Sequence, residues 1–395
     1  MLLLSVVIVI IDNYCSLYQS DNRLAAARKI NPDDWDLPYK NQTIKDKYKI
    51  VMMTTHGAEW TEGKYIQKAA QNLGWELKLY YYSTQGHEKE ILEFDPDFII
   101  TTVGNSNFHI SPEIVNHRSN IFGLFYWAVN TDIINSFVRP TFGIFPEYYF
   151  DKDLDPNSSL FDMLNISDGI LVSAKEIKIF EEYFEEIKKP FYAIRVVPSV
   201  NREQYSFKSP SYISIMGTLK DEKRSGGNFK TLFKKLDDAH ILKTYGDQKS
   251  YNFIPDSYMG IISNQQQLLD EINKNSILLV LHRKNHFNNG IPTNRIMEGA
   301  AACALIISDK NPFVIENFGD SVLYFDADQD GETMYNQIMA HYNWAKANPK
   351  EAERLANKSH QIFLDKFTAE GDLIRIAKMN TKILEDKKNK QKLTR

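Results

Sequence analysis

Residues 277–308 have the sequence ILLVLHRKNHFNNGIPTNRIMEGAAACALIIS. The apolar runs Ile277–Leu281 and Ala304–Ser308 predict two buried strands, and Thr293–Cys303 between them predicts a helix. A strand, a helix and a second strand in this order are typical of a parallel βαβ unit, whose helix crosses one face of the sheet. The stretch therefore predicts an α/β fold with a parallel sheet.

The same alternation extends from this stretch in both directions. In the first half it begins with the strand Tyr48–Met53 and the helix Glu62–Leu73, whose apolar residues recur at the spacing of one helical face. In the second half it begins with the strand Tyr212–Met216. We therefore predict two Rossmann-like domains whose strand carboxyl ends face a central cleft, followed by C-terminal helices.

A polar stretch, Arg202–Ser211, marks the predicted joint between the two domains. The predicted segments are an N-terminal extension (1–46), a first Rossmann-like domain (47–200), a second Rossmann-like domain (201–365) and a C-terminal helix with a basic tail (366–395). The extension contains the apolar run Leu2–Ile11, which is shorter than the roughly 20 residues that span a bilayer. This run is either an extra strand or a signal-like, membrane-associating segment, and both alternatives stay open.

Composition excludes several classes of protein. Of the 395 residues, 43% are hydrophobic and 25% are charged, which is typical of a soluble globular chain. A net charge of −4 provides no field for binding a polyanion, so no nucleic-acid partner is expected. The two cysteines, Cys15 and Cys303, are too few for a disulfide framework or a cysteine zinc site. A reducing compartment, the cytoplasm, is the expected location.

The loop and helix after Leu281 are the strongest candidate site. Pro292 fits the first position of a helix, whose free amides form a site for phosphate oxygens. Asn294, Arg295 and Glu298 share one face of that helix. The Glu298 carboxylate can accept hydrogen bonds from two ribose hydroxyls while Arg295 balances charge, so the arrangement suits a nucleoside diphosphate. The alternative is that Arg295 and Glu298 form only a surface ion pair.

Residues 294–309, together with the following run Phe318–Phe325, resemble the C-terminal domain of group 1 glycosyltransferases, especially the CgeB-like branch. The resemblance extends to Val197–Asn201, which is similar to the interdomain linker of these enzymes. It covers roughly residues 48–382, densely in the second half and thinly in the first. The fold it implies is GT-B, with an acceptor domain at 47–200 and a nucleotide-sugar donor domain at 201–365.

The resemblance also implies roles for individual residues. Glu298 takes the position of the glutamate that binds the donor ribose. Gly290 occupies a position, eight residues earlier, where the wider superfamily often has a second glutamate. Lys223 or Arg224, in the loop after Gly217, is the expected basic residue that neutralises the leaving diphosphate. The full set of predicted donor-binding residues is Gly217, Lys223, Arg224, Tyr245, His282, Gly290, Thr293, Asn294, Arg295 and Glu298.

Three first-half residues are weaker candidates. His56 lies in the loop that, in the relatives, approaches the donor phosphate and the acceptor, although a structural histidine fits equally well. Asp132 follows a strand where many relatives keep a catalytic histidine or aspartate, and His109 ranks below it. His56, Asp132 and Arg224 are the predicted catalytic residues.

No metal site is predicted. Asp326–Gly331 begins like a calcium-binding loop, but the twelfth position is Gln337 where a bidentate glutamate is needed. We interpret it as a loop that caps the following helix. Asp151–Asp153 is an Asp-x-Asp motif too short to be specific, and His282 and His286 lack a third ligand. Metal independence and the absence of a cofactor are therefore expected.

The predicted function is transfer of a sugar from a nucleoside-diphosphate sugar to a glycan, lipid or protein acceptor, with retention at the anomeric carbon as the relatives imply. One alternative is a non-catalytic binding protein in surface assembly, which the missing second glutamate favours. Another is a sugar-nucleotide epimerase, for which Glu59 and Glu62 would be the carboxylates. The Leu2–Ile11 run and the basic tail motivate peripheral membrane contact as a further hypothesis.

Overall fold

Two separate parallel sheets organise the chain. The structure is a computed structural model that describes residues 42–54, 62–81, 87–102, 120–125, 167–172, 191–193, 197–219, 221, 223–288 and 290–393. Within these residues each sheet has six strands, and every paired strand is parallel to its neighbour. This is the arrangement that the alternation of strands and helices predicts.

The first sheet has the strand order β2-β1-β3-β4-β5-β6. Its strands are β1 Lys49–Thr54, β2 Glu76–Tyr81, β3 Phe98–Thr102, β4 Asn120–Phe125, β5 Gly169–Val172 and β6 Phe191–Ala193. Helices α1, Glu62–Asn72, and α2, Glu88–Phe94, connect its first strands. The predicted apolar face of α1 is buried, since Ala69 and Ala70 are both fully inaccessible to solvent.

The second sheet has the order β12-β11-β10-β7-β8-β9. Its strands are β7 Tyr212–Met216, β8 Leu242–Tyr245, β9 Tyr258–Gly260, β10 Ser276–Val280, β11 Leu305–Asp309 and β12 Leu323–Phe325. All five residues of β10 and of β11 are buried, because helices cover both faces of this sheet.

The helices of the second half are α3 Gly227–Asp238, α4 Gln265–Asn275, α5 Lys284–Asn288, α6 Asn294–Ala301, α7 Pro312–Phe318, α8 Gly331–Ala347, α9 Pro349–Lys366 and α10 Ala369–Leu393. Asp330 caps α8, since its carboxylate accepts from the backbone amides of Glu332 and Thr333 at 2.9 and 3.0 Å. That capping role is the one predicted for the Asp326–Gly331 loop. Helix α10 continues into the predicted basic tail as far as Leu393.

The C-terminal helix returns to the first sheet. Helix α10 packs against α1, and its residues join the same hydrophobic cluster as Ile50 and Phe98 of the first sheet. Beside this contact, Asn72 donates to the Ser199 hydroxyl at 3.0 Å and to the Glu370 carboxylate at 2.8 Å. The chain thus crosses between the two α/β units twice, near Ser199 and near Glu370, and the crossings are hydrogen-bonded together. The predicted domain boundaries stay predictions.

Candidate functional site

The candidate site lies at the carboxyl edge of the second sheet. Strand β10 lies between β7 and β11, so the residues that follow these strands are neighbours about 5 Å apart. Gly217 follows β7, His282 follows β10 after one residue, and Asp309 ends β11. The carboxyl ends of parallel strands are where α/β proteins bind ligands.

Two glycines let the loops after β7 and β8 approach each other closely. Gly217 has φ +111° and Gly246 has φ +140°, both in the region that favours glycine. A Cβ atom on Gly246 would lie 2.2 Å from the Gly217 carbonyl oxygen. The hydroxyl groups of Tyr251 and Tyr258 donate to the carbonyls of Gly217 and Gly246 at 2.8 and 2.9 Å. These contacts hold the Gly217 loop in one conformation.

Helix α6 begins two residues later than a first-position Pro292 would require, so that prediction is wrong. Thr293 is the N-cap residue, with extended backbone angles of φ −83° and ψ 151°, and its side chain makes no capping hydrogen bond. Pro292 lies before the cap because the helical conformation starts only at Asn294. Ile296 N donates to Thr293 O at 3.2 Å. The amides of the first helical turn therefore belong to Asn294 and Arg295, both predicted donor-site residues.

Glu298 is fully buried, whereas 29% of the Arg295 side chain is exposed. The Arg295 guanidinium donates to Oε2 of Glu298. Among the described residues, Glu298 Oε1 has no hydrogen-bond partner. The pair named in the alternative interpretation thus forms, but its carboxylate is buried and does not lie on the surface. The site combines a buried acceptor with a partly accessible cation.

The guanidinium of Arg295 also faces the Gly217 loop. Its Nη2 atom lies 3.7 Å from the position of a Cβ on Gly217. Burial raises the pKa of the Tyr251 phenol, and the positive charges of Arg224 and Arg295 oppose this rise. Both arginines are thus close enough to act on the phenol that donates to Gly217 O. Two guanidinium groups, each paired with a carboxylate, therefore lie at this corner of the sheet.

The two basic candidates after Gly217 are held differently. Arg224 is mostly buried, and its guanidinium donates to the Asp221 carboxylate, which also accepts from the Arg224 amide at 3.1 Å. Lys223 lies with its Nζ atom 4.1 Å from the centroid of the Phe287 ring and 3.7 Å from Asp328 Oδ1. The loop therefore directs Lys223 toward Phe287 of α5, whereas Arg224 is held by Asp221 and acts on Tyr251.

Tyr245 contributes its backbone to the site. Its carbonyl accepts from the Gly217 amide at 2.9 Å. Its hydroxyl donates to Glu271 at 2.7 Å and accepts from Asn275 at 3.1 Å, both on α4. Burial raises the pKa of this phenol to about 12. The Tyr245 hydroxyl is thus hydrogen-bonded within the protein, and the Tyr245 carbonyl holds the Gly217 loop.

The loop between β10 and α6 contains the remaining predicted residues. Helix α5 occupies its middle, and Gly290 follows with φ +65°. His282 is fully buried, and its ring contacts Asp309, also fully buried. The sequence predicted His282 but not Asp309, Asp221 or Tyr251. Asp309 could have been predicted from its position, because it ends the apolar strand β11, which pairs with β10, the strand before His282.

The first-half candidates His56, Asp132 and His109 lie outside the described residues, as does Asp151–Asp153. A surface cavity of about 450 Å³ is present on the first α/β unit, lined by side chains that include Lys64, Lys78, Tyr80 and Glu90. None of the predicted site residues lines this cavity, so it is separate from the candidate donor site.

Within the described ranges, no three His, Cys, Asp or Glu side chains lie together as a metal site requires. In the same part of the chain, no helix combines the length and apolarity that crossing a bilayer demands. Lys387 of the basic tail donates to Asp168 at 2.6 Å, so this lysine contacts the first α/β unit.

Part of this chain is similar to a known protein family. A family model described as "Glycosyl transferase-like" matches residues 224–377. This range includes Arg224, His282, Arg295 and Glu298, and thus most of the carboxyl edge of the second sheet. No curated protein matches the sequence. Residues 224–377 therefore form a glycosyltransferase-like domain.

Solved structures extend the likeness to both sheets. A Rickettsia africae glycosyltransferase is 12% identical with a TM-score of 0.52, covering 86% of this chain and 99% of that one. Sucrose-phosphate synthase from Thermosynechococcus elongatus is 10% identical with a TM-score of 0.53, covering 86% and 99%. An Anabaena protein in complex with UDP-glucose is 10% identical with a TM-score of 0.48, covering 86% and 100%.

The first two of these structures show the fold, which is GT-B. With this fold, the match of residues 224–377 to a glycosyltransferase-like family model supports the enzyme class predicted from the sequence. The fold class and the enzyme class predicted from the sequence are confirmed. The narrower assignment to the CgeB-like branch stays a prediction.

Proposed function

We propose that this chain transfers a sugar from a nucleoside-diphosphate sugar to a glycan, lipid or protein acceptor, with retention at the anomeric carbon and without a metal ion. The observation that supports it most strongly is the fully buried Glu298, whose Oε1 atom has no partner among the described residues. A buried polar atom without a hydrogen bond destabilises the protein by about 1–3 kcal/mol. Such an atom is retained where a ligand satisfies it.

Glu298 is the proposed ribose-binding residue. A carboxylate only accepts hydrogen bonds, so its ligand must supply O–H or N–H groups. The vicinal hydroxyls of a ribose provide two such donors at the right spacing for one carboxylate. On binding, Arg295 exchanges its contact with Glu298 for a contact with phosphate oxygens, with which a guanidinium forms strong bidentate hydrogen bonds.

The diphosphate is proposed to lie between the Gly217 loop and the start of α6. Here the amides of the first helical turn, the helix dipole and the guanidinium groups of Arg224 and Arg295 all favour negative charge. When the glycosidic bond to phosphate breaks, charge develops on the leaving diphosphate. Fixed donors and cations that stabilise this charge lower the barrier without a metal ion.

The non-catalytic alternative stays a second candidate because of one observation. Gly290 occupies the position where the wider superfamily often has a glutamate, and it leaves no carboxylate there. A protein that binds a sugar nucleotide without turning it over would keep Glu298 and lose this group. Binding and turnover therefore have to be measured separately.

Calorimetric titration with UDP, GDP, ADP and dTDP and with their common sugar conjugates tests the proposal. Wild-type protein is expected to bind one nucleotide, and Glu298→Ala to lose most of that affinity. Glu316→Ala, on α7 of the same domain, is the matched control and should bind like the wild type. Release of the diphosphate from the bound conjugate, with acceptor or water, then separates transferase from binder. If none of the nucleotides binds, the donor-site assignment is wrong.

A further inference from the structure

His282 and Asp309 form a fully buried pair at the ends of two neighbouring strands. One carboxylate oxygen of Asp309 accepts from the backbone amide of His282 at 2.9 Å. The other lies 2.5 Å from Nδ1 of the same histidine. Asp309 thus fixes both the backbone and the ring of His282, so the direction of the imidazole is set by the fold.

This contact also determines which ring nitrogen carries the proton. An ionised carboxylate only accepts, so Nδ1 is the donor, and in the neutral ring Nε2 carries a lone pair. Nε2 is buried and has no hydrogen-bond partner among the described residues. The great majority of buried polar atoms in proteins are hydrogen-bonded, so an acceptor held in this way points to a missing donor.

His282 lies on the α6 side of the sheet. Leu278 and Val280 belong to the same hydrophobic cluster as Ile296 and Met297 of α6, and side chains two residues apart on a strand share a face. His282 continues this row beyond the strand. It also opens the loop that leads to the start of α6, whereas Glu298 lies one helical turn beyond that start. The start of α6, where the diphosphate is proposed to lie, therefore falls between His282 and Glu298 in the sequence.

Two buried acceptors therefore lie around a site whose other groups favour phosphate. With the His282 ring neutral, phosphate oxygens cannot satisfy its Nε2 atom or Oε1 of Glu298, because both atoms need a donated hydrogen. A sugar nucleotide carries hydroxyl groups at both ends of its diphosphate, on the ribose and on the sugar. We propose that His282, positioned by Asp309, accepts a hydrogen bond from a hydroxyl of the sugar that the donor carries. This inference rests on the proposed function.

The decisive comparison is between a nucleoside diphosphate and its sugar conjugate on the same variants. His282→Asn places an amide where Nδ1 lies, so it keeps the contact with Asp309 but has no atom at the Nε2 position. We expect its affinity for the sugar conjugate to fall about tenfold, as for one lost hydrogen bond, with affinity for the free nucleoside diphosphate unchanged. His282→Gln, whose amide oxygen reaches the Nε2 position, should recover part of the loss.

Asp309 is a positioning residue, and the tautomer of His282 reports its role. Nitrogen-15 NMR of the ring is expected to show protonation at Nδ1 in the wild type and a mixture of tautomers in Asp309→Asn. The same variant should lose affinity for the sugar conjugate only. His360→Asn is the control, since this buried histidine contacts the backbone carbonyl of Ala300 at 2.8 Å, outside the site.

The outcomes separate the two proposals. If nucleoside diphosphates bind but His282→Asn weakens them and their conjugates equally, His282 does not contact the sugar and this inference is overturned. The same conclusion follows if neither affinity changes while only the melting temperature falls. If the wild type binds no nucleotide, the proposed function fails, and this inference fails with it.

Discussion

Among the arginine–carboxylate pairs with three-residue spacing in the described helices, two have a buried carboxylate: Arg295 with Glu298 in α6 and Asp372 with Arg375 in α10. In α10 the acid lies in the first turn, where the helix dipole favours negative charge, and Arg375 follows it. In α6 the arginine lies in the first turn and the acid follows, so the dipole disfavours both charges. The order of charges in the α10 pair therefore matches its helix dipole, and the order in the α6 pair opposes it.

The two pairs also differ in how completely they are satisfied. Arg375 donates to Asp372 at 3.2 Å and to the carbonyl of Lys366 at 3.4 Å, which joins the ends of α9 and α10. Glu298 is fully buried with one oxygen unpaired among the described residues. A pair selected only for stability would not combine an unfavourable charge order with an unsatisfied acceptor. The difference supports the proposal that α6 uses its pair for a ligand, whereas the pair in α10 is structural.

The largest expected effect is on nucleotide binding by Glu298→Gln. Replacing the carboxylate by a neutral amide weakens two hydrogen bonds to the ribose, each of about 1.5 kcal/mol or more, so affinity should fall about 100-fold. The unfolding free energy should stay constant or rise, because the variant no longer buries an incompletely paired charge. Calorimetry and chemical unfolding measure the two quantities. A destabilised variant with normal affinity would show that this pair, too, is structural.

Asp372→Asn is the matched substitution in α10 and should behave in the opposite way. Removing one partner of a buried ion pair leaves the Arg375 charge uncompensated, and the unfolding free energy should fall by about 3 kcal/mol. Nucleotide affinity should not change, because α10 packs against the first sheet and contributes no residue to the candidate site. Urea unfolding and the same calorimetric titration test this. If the variant remains folded but binds nucleotide more weakly, the α10 pair also affects ligand binding and the distinction between the two pairs is wrong.

Much of this architecture could be predicted from the sequence, because both sheets consist of apolar strands alternating with amphipathic helices. Strand β7 has the predicted bounds, Tyr212–Met216. Strand β9 was missed because it is three residues long and ends at Gly260. Helix α5 was missed because its sequence is polar and only five residues long.

The site was predictable only where its residues are close in sequence. Arg295 and Glu298 share one helical face, so their spacing alone brings them together. Tyr251 reaches the Gly217 carbonyl across 34 residues, and Asp309 reaches His282 across 27. Both contacts depend on the order of strands in the sheet, which local patterns do not specify. The Arg295–Glu298 pair and its helix could therefore be predicted from the sequence. The contacts through which Tyr251 and Asp309 orient Gly217 and His282 could not.

Gly246→Ala tests whether the ligand site depends on the close approach of two loops. Gly246 and Gly260 both have positive φ, so alanine at either position should cost about 1–3 kcal/mol in backbone strain. Only at Gly246 would the new methyl group meet the Gly217 carbonyl, since no atom lies within 4 Å of a Cβ on Gly260. Nucleotide affinity should therefore fall in Gly246→Ala and persist in Gly260→Ala. Equal affinities in the two variants would show that the Gly217 loop tolerates displacement.

The smallest expected effect concerns the other end of α6, where Cys303 follows the helix. Burial raises the pKa of this thiol to about 11 from 9.0, so between these values the unfolded chain loses the proton while the folded chain keeps it. Stability therefore falls as pH rises, by about 1 kcal/mol between pH 8 and pH 10 from this group alone. Cys303→Ala should show a correspondingly shallower decline in urea unfolding, with unchanged nucleotide affinity at neutral pH. An equally steep decline in the variant would assign the alkaline loss of stability to other groups, such as the buried tyrosines. An altered affinity would show that nucleotide binding also depends on the C-terminal end of α6.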